Sequence, residues 1–244
     1  MFHPRKGERP MATMIFRRLE KKYLLTDWQR EQFMERIMPY VVEDEYGQYT
    51  LTNLYFDTDC FDSIRRSMEK PVYKSKMRLR AYGTPGPDDR IFWELKKKFK
   101  KVGYKRRMVT TPREMEAYFA EGTPLGSNFQ TFRELDYERK RQNLYPRIYL
   151  AYDRIAYYAK DDREVRITFD ENIRYRWDRL DLTLGDGGCT VFPMEYHLLE
   201  LKVNEGMPLW LVKILSDLKI YPCPFSKYGK IYEKENIFQC STVF

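Results

Sequence analysis

Lys76, Arg78 and Arg80 stand at alternate positions in the run Lys-Met-Arg-Leu-Arg. On an extended strand that spacing sends all three to one face and Met77, Leu79 and Ala81 to the other. The pattern recurs. Glu94 and Lys96 alternate with Trp93 and Leu95, and Lys105 and Arg107 follow a turn at Gly103. Further on, Arg166, Thr168 and Asp170 alternate with Val165, Ile167 and Phe169, while Glu200 and Lys202 alternate with Leu199, Leu201 and Val203. One strand with a charged face is an ordinary solvated surface. Several in one chain predict that the charged faces are gathered into a groove or a barrel lumen. Enclosing bases costs desolvation and self-repulsion, so the pattern implies a polyanion, with a metal ion beside it, as the occupant. Arginine binds phosphate oxygens in pairs through its planar fork, and lysine adds a mobile point charge. The chemistry on offer is the binding of a phosphate chain.

The acids sharpen that reading. Glu20, Glu94 and Glu200 each stand two residues before a lysine (Lys22, Lys96 and Lys202), so each shares a strand face with a base. They serve as salt bridges within the lumen, as ligands for a divalent cation, or as both, since Mg²⁺ and Mn²⁺ at phosphates need only one or two protein carboxylates. Glu200 is the preferred ligand, with Glu20 and Glu94 behind it. The chain has no glycine-rich phosphate cradle and no kinase-type catalytic loop, so side chains must hold any phosphate. Cys60, Cys189, Cys223 and Cys240 are widely spaced, and His3 and His197 are the only histidines, which argues against a zinc site or a disulfide framework. Tyr55, Tyr149 and Tyr157 are expected in the core or on the barrel exterior, and Trp28, Trp93, Trp177 and Trp210 in packing roles.

Hydropathy and breakers place the elements that position these residues. Strands are expected over 15–25, 49–57, 72–82, 90–100, 104–111, 147–158, 164–170 and 194–203. Helices are expected from a Thr26/Asp27 cap to about residue 38, over 60–68, from Pro112 to about 120, over 130–142 and over 208–218. The strands around 72–111 form an antiparallel meander.

In 244 residues, 44 Lys plus Arg against 36 Asp plus Glu give a net charge of +8. That balance favours phosphate-bearing partners without telling a nucleotide from polyphosphate, RNA or an anionic membrane. With 43% hydrophobic and 16% aromatic residues, the chain can bury a core. Residues 1–13 are polar and basic and read as a flexible extension, residues 14–239 as one domain, and 240–244 as a tail. No apolar run is long enough to span a bilayer, and a cytoplasmic protein is expected.

The ordered set Glu20-Lys-Lys22, Lys76-Met-Arg78-Leu-Arg80, Glu94-Leu-Lys96, Lys105-Arg-Arg107, Tyr152-Asp-Arg154, Arg166-Ile-Thr-Phe-Asp170, Glu200-Leu-Lys202 and Ser226-Lys227-Tyr228 resembles the VTC domain. That domain is the polyphosphate polymerase core within the CYTH-like triphosphate tunnel metalloenzymes. The resemblance covers about residues 14–239. It implies an α+β fold: a closed eight-stranded antiparallel β tunnel with helices packed outside. It implies phosphate or nucleotide contacts from Lys22, Arg78, Arg80, Lys96, Lys105, Arg107, Tyr152, Arg154, Arg166, Lys202, Ser226 and Lys227. Arg78, Arg80, Lys96, Arg154, Arg166 and Glu200 would be catalytic, with Mn²⁺ or Mg²⁺ on Glu200. The implied reaction moves the γ-phosphate of ATP onto a polyphosphate chain. Tunnel hydrolases begin Glu-x-Glu-x-Lys, whereas Arg18 stands in place of the first glutamate here, which favours polymerase over hydrolase. The regulatory SPX domain and membrane helices of the eukaryotic complex are not expected in this chain. The rival readings are a metal-dependent tripolyphosphatase or nucleoside triphosphatase, with Glu20 or Glu94 orienting water, and a non-catalytic polyphosphate or RNA binder. RNA binding is disfavoured because the aromatic residues fall mostly opposite the bases.

Overall fold

The computed structural model describes residues 19–69, 71–100, 102–125, 129–191, 196–204 and 206–235. The expected extension 1–13, the tail 240–244, Arg18, and the outer ends of the first and last expected strands lie outside the described residues.

The elements follow as β1 (Leu19–Thr26), α1 (Asp27–Ile37), β2 (Val41–Glu43), β3 (Tyr49–Asp57), α2 (Asp62–Met68), β4 (Tyr73–Tyr82), β5 (Ile91–Phe99), β6 (Val102–Thr110), α3 (Pro112–Glu121), α4 (Phe129–Arg141), β7 (Tyr145–Ala159), β8 (Arg166–Arg176), β9 (Cys189–Thr190), β10 (Tyr196–Val203), α5 (Leu209–Asp217) and α6 (Lys227–Lys234). Threonine caps start two of the helices. Thr26 and Gln29 form a reciprocal capping box on α1, and Thr111 and Glu114 form another on α3 with Pro112 just inside.

Among the described residues the sheet has ten strands, and its main path runs β1-β10-β8-β7-β3-β4-β5-β6, with β2 on β7 and β9 on β8. Among the described residues no ladder joins β1 to β6, which corrects the expected closed eight-stranded tunnel. Side chains reach across instead: Lys96 of β5 lies 3.7 Å from Glu20 of β1. Alternation in a sequence reports which face of a strand is buried, not which edges hydrogen-bond, and so it does not reveal closure.

The outer face buries the apolar partners of the charged stripe. Tyr23, Leu25, Ile167, Phe169, Leu199 and Leu201 pack with Phe33 and Ile37 of α1 and with Leu211, Ile214 and Leu215 of α5. Met77, Leu79, Trp93, Leu95 and Met108 pack with Met115 and Tyr118 of α3 and with Phe132 and Leu135 of α4. A third cluster sits elsewhere. Leu51, Leu150, Tyr152 and Leu198 belong to the inner face, and they pack with Ile64 of α2 and with Tyr228, Ile231 and Tyr232 of α6. Helices therefore cover the inner face as well as the outer one, which corrects the expectation of helices outside only. Trp28 is a further correction, since it is 59% exposed while Trp93 is fully buried.

The α6 helix has a start signal in its Ser226 N-cap, whose side chain accepts from the Gly229 N–H, but its interior offers little help. It contains Gly229 and two tyrosines, poor helix formers, and its formation depends on tertiary packing. Gly229 is needed for space rather than for φ. A Cβ there would meet the Ser226 Cβ at 3.2 Å and Oγ at 3.3 Å.

Candidate functional site

Strand register sets the inner-face residues in transverse rows. Tyr55 lies opposite Arg78, Arg78 opposite Glu94, and Glu94 opposite Arg107. The next row holds Lys76, Lys96 and Lys105, and the row on the other side pairs Asn53 with Arg80. Glu94 sits at the centre of this wall, almost fully buried. It accepts from Arg78 Nε at 2.8 Å and from Arg107 Nε at 2.7 Å, with Lys105 Nζ at 2.7 Å and Arg80 Nε at 3.9 Å. Burial opposes charge on this carboxylate, but Arg78, Arg80 and Lys105 more than reverse that and hold its pKa far below the usual range. Four cations share one anion, and the wall is left positive.

The facing wall is built on β7, β8, β10 and β1. A bulge in the β7–β8 pairing falls between Ala151 and Asp153, and beyond it Arg154 lies opposite Asp170. Arg154 donates Nε and Nη2 to the two Asp170 oxygens at 2.6 and 2.8 Å. Lys227, at the start of α6, reaches the same carboxylate and lies 4.1 Å from the Tyr152 ring centre. On the next strands, Glu200 has Lys202 Nζ at 2.5 Å and Lys22 Nζ at 3.8 Å, and Glu20 has Lys22 at 3.6 Å and Lys96 at 3.7 Å. Arg166 donates to Asp44 at 3.3 Å, just beyond β2. The structure thus brings Lys22, Arg78, Arg80, Lys96, Lys105, Arg107, Tyr152, Arg154, Lys202, Ser226, Lys227, Glu20, Glu94 and Glu200 onto one concave face, with Arg166 at its margin.

Several residues of this face were not anticipated. Tyr55, expected in the core or outside, lines the inner face and accepts from Arg78 Nη1 at 3.0 Å. Burial pushes its phenol up, yet Arg78, Arg80 and Lys76 bring it net below the ordinary value. Asn53 is fully buried, accepts from Arg80 Nε at 3.1 Å and donates to the Leu150 carbonyl at 3.2 Å. A signal was present, because Asn53 and Tyr55 alternate with Leu54 and Phe56 at the same period as the basic strands. Tyr and Asn carry no formal charge and so leave no mark in a charged stripe. Lys76 donates to Ser226 Oγ at 3.2 Å.

Both oxygens of Glu94 and of Asp170 are within hydrogen-bond reach of arginine or lysine, whereas Glu20 meets Lys22 and Lys96 only at 3.6 and 3.7 Å, and Glu200 has one oxygen 2.5 Å from Lys202 and the other 3.8 Å from Lys22. Glu20 and Glu200 converge on the Lys22 ammonium. They are hard oxygen donors, and a divalent ion held by them would sit beside that ammonium and draw its other ligands from phosphate and water. No group of three His, Cys, Asp or Glu side chains placed to hold a metal occurs among the described residues. No helix among them is long and apolar enough to cross a membrane.

Comparison with solved structures places the fold. A candidate adenylate cyclase from Bacillus halodurans aligns with a TM-score of 0.51 at 16% identity, over 85% of this chain and 92% of its own. A candidate adenylyl cyclase from Hippeastrum, described as having a dominant triphosphatase activity, aligns with a TM-score of 0.49 at 13% identity, over 88% of this chain and 95% of its own. The model of the VTC domain matches residues 17–235. The basic strand rows, the paired lumen carboxylates and the Ser226-Lys227 helix start all fall within that span, and the chain belongs to the VTC domain family.

Proposed function

We propose that the chain is a polyphosphate polymerase-like phosphotransferase that moves the γ-phosphate of ATP onto a polyphosphate end on the concave basic face. The observation that carries this reading is the Glu94 wall, where Arg78, Arg80, Lys105 and Arg107 share one carboxylate and retain net positive charge in a partly dehydrated space. Phosphoryl transfer asks little covalent chemistry of a protein; in-line positioning and charge neutralisation supply most of the rate. Arg80 contributes most directly to that. Its Nε is held by Asn53, and its terminal nitrogens have no hydrogen-bond partner among the described residues. Arg78 is pinned by Glu94 and Tyr55 and presents its remaining N–H groups from a fixed plane.

The site of transfer lies between the two walls, with Arg154, Lys227, Lys202 and Lys22 facing the β4–β6 bases and Arg166 at the margin. Glu20 and Glu200 would hold the divalent cation, which when bound offsets charge on bridging phosphate oxygens. Glu94 is left out because each of its oxygens takes at least two close guanidinium or ammonium contacts, at 2.5 to 2.8 Å, against a single such contact, from Lys202, on Glu200. The preference for a phosphate acceptor over water rests on the acids as a set. Glu94, Asp170 and Glu200 are each held below the ordinary carboxylate range by neighbouring bases and are poor proton acceptors toward water, and a phosphate acceptor is already anionic and needs no base.

The test is product analysis. Purified protein incubated with ATP and Mn²⁺ or Mg²⁺ should yield ADP and a ladder of polyphosphate on a gel. Free phosphate without a ladder would assign a triphosphatase instead, and no turnover with retained triphosphate binding would assign a binding module.

A further inference from the structure

Among the bases described above, Lys76 is the exception. Lys22, Arg78, Arg80, Lys96, Lys105, Arg107, Arg154, Lys202 and Lys227 each face a lumen carboxylate, and Arg166 faces Asp44. The ammonium of Lys76 has only a neutral partner, the Ser226 hydroxyl at 3.2 Å, and no carboxylate among the described residues. Its surroundings make this costly. Lys74 and Arg78 flank it on β4, Lys96 faces it from β5, Lys22 from β1 and the Tyr55 phenol from β3, and the start of α6 covers it with Ser226.

Ser226 is arranged for the same purpose. Its Oγ accepts from the backbone N–H of Gly229, closing the first turn of α6, and accepts again from Lys76. With both lone pairs engaged, the hydroxyl keeps its proton as a donor. An uncompensated ammonium beside a free hydroxyl donor is a seat for an anionic oxygen.

We infer that Lys76 joins Ser226, itself among the phosphate contacts the family resemblance implies, in a phosphate-oxygen subsite that is filled when a phosphate chain enters the basic face and completed only by that chain. The inference rests on the reading of that face as a phosphate site, and it assigns Lys76 a contact beyond the bases named for it. It also has a protonic consequence. Burial, reinforced by Lys74, Lys22 and Lys96, pushes the Lys76 ammonium down to about 8 in the free protein, against the opposing pull of Tyr55. A bound anion favours the charged form, so binding takes up a proton at Lys76 as pH rises above about 8. Below that pH the residue is already charged and little uptake is expected.

The experiment is calorimetry of tripolyphosphate binding to wild type, Lys76→Met and Lys76→Arg, in two buffers of different ionisation enthalpy, at about pH 7 and about pH 9. At the lower pH, Lys76→Met should bind about 10- to 100-fold more weakly than wild type, and Lys76→Arg should lie close to wild type. At the higher pH, wild type should take up a large fraction of a proton that Lys76→Arg does not. Lys105 is also pushed down to about 8, chiefly by burial, so Lys105→Arg is the control and should retain the extra uptake. Wild-type affinity in Lys76→Met, or equal proton uptake in wild type and Lys76→Arg, would overturn the subsite while leaving the phosphate reading intact. Absence of tripolyphosphate binding by folded wild type would overturn both.

Discussion

Arg154 and Asp170 lie directly opposite each other on neighbouring strands and meet fork to fork at 2.6 and 2.8 Å, with the carboxylate fully removed from solvent. Such a pair aims the guanidinium as well as neutralising it, because bidentate contact fixes a plane. Lys227 from α6 joins the same carboxylate, so Asp170 ties the sheet to the helix that covers its inner face.

Asp170→Asn is therefore expected to destabilise the fold by about 3–5 kcal/mol, the scale for removing one partner of a buried ion pair. The pH dependence follows from the carboxyl. Burial would raise its pKa, but Arg154 and Lys227 reverse this and bring it from 3.8 to about 2. A depressed folded-state value stabilises above the unfolded value, and that contribution is lost as pH falls from about 4 to about 2. Urea unfolding of wild type and variant should show a stability gap at neutral pH that narrows across that window. A constant gap would assign the loss to packing instead.

Glu94→Gln should behave differently, because Glu94 holds together bases that otherwise repel. With Arg78, Arg80, Lys105 and Arg107 left without their shared anion, the free protein should melt lower at low salt and recover with added salt or triphosphate. The ligand-induced rise in Tm should exceed that of wild type. A smaller rise in the variant would mean that Glu94 contributes to ligand binding and not to holding the empty site together.

Much of this arrangement was legible in the sequence, for one physical reason. Period-two alternation is enforced by the pleat, so Lys76, Arg78 and Arg80 had to share a face, and their register with Glu94 and Arg107 followed once the meander formed. What was not legible depends on contacts distant in the chain. The open β1 and β6 edges, the inner position of α6, and the link from Lys76 to Ser226, which lie 150 residues apart, are fixed by packing and not by local pattern. Tyr55 and Asn53 were overlooked because their work is done by hydrogen bonds to arginines, which strand periodicity does not report.

Arg80→Ala is expected to lose about 2–4 kcal/mol of transition-state stabilisation, roughly 30- to 1,000-fold in kcat/KM, with little change in Tm. The small stability effect has a cause. Burial and the neighbouring Arg78 both disfavour the Arg80 charge, so its removal relieves repulsion while leaving Asn53 Oδ1 without its donor. Arg80→Lys should restore charge but not the fork, and should recover only part of the rate. Near-normal turnover in Arg80→Ala would place the transferring phosphate on the other wall.

Glu200→Gln separates metal binding from phosphate binding. Glu200 is buried between Lys202 and Lys22; burial alone would raise its pKa, but those lysines with Arg154 and Lys227 hold it well below the ordinary carboxylate range. An amide keeps the shape and loses the charge that a hard dication requires. Turnover should therefore fall and shift to much higher Mn²⁺, while ATP affinity measured without metal should hold or tighten, since Lys202 and Lys22 are released toward the ligand. The pairing of the two measurements carries the assignment. Lost ATP affinity together with unchanged Mn²⁺ dependence would show that Glu200 orders the lysines and that Glu20, the other carboxylate on Lys22, is the ligand that matters.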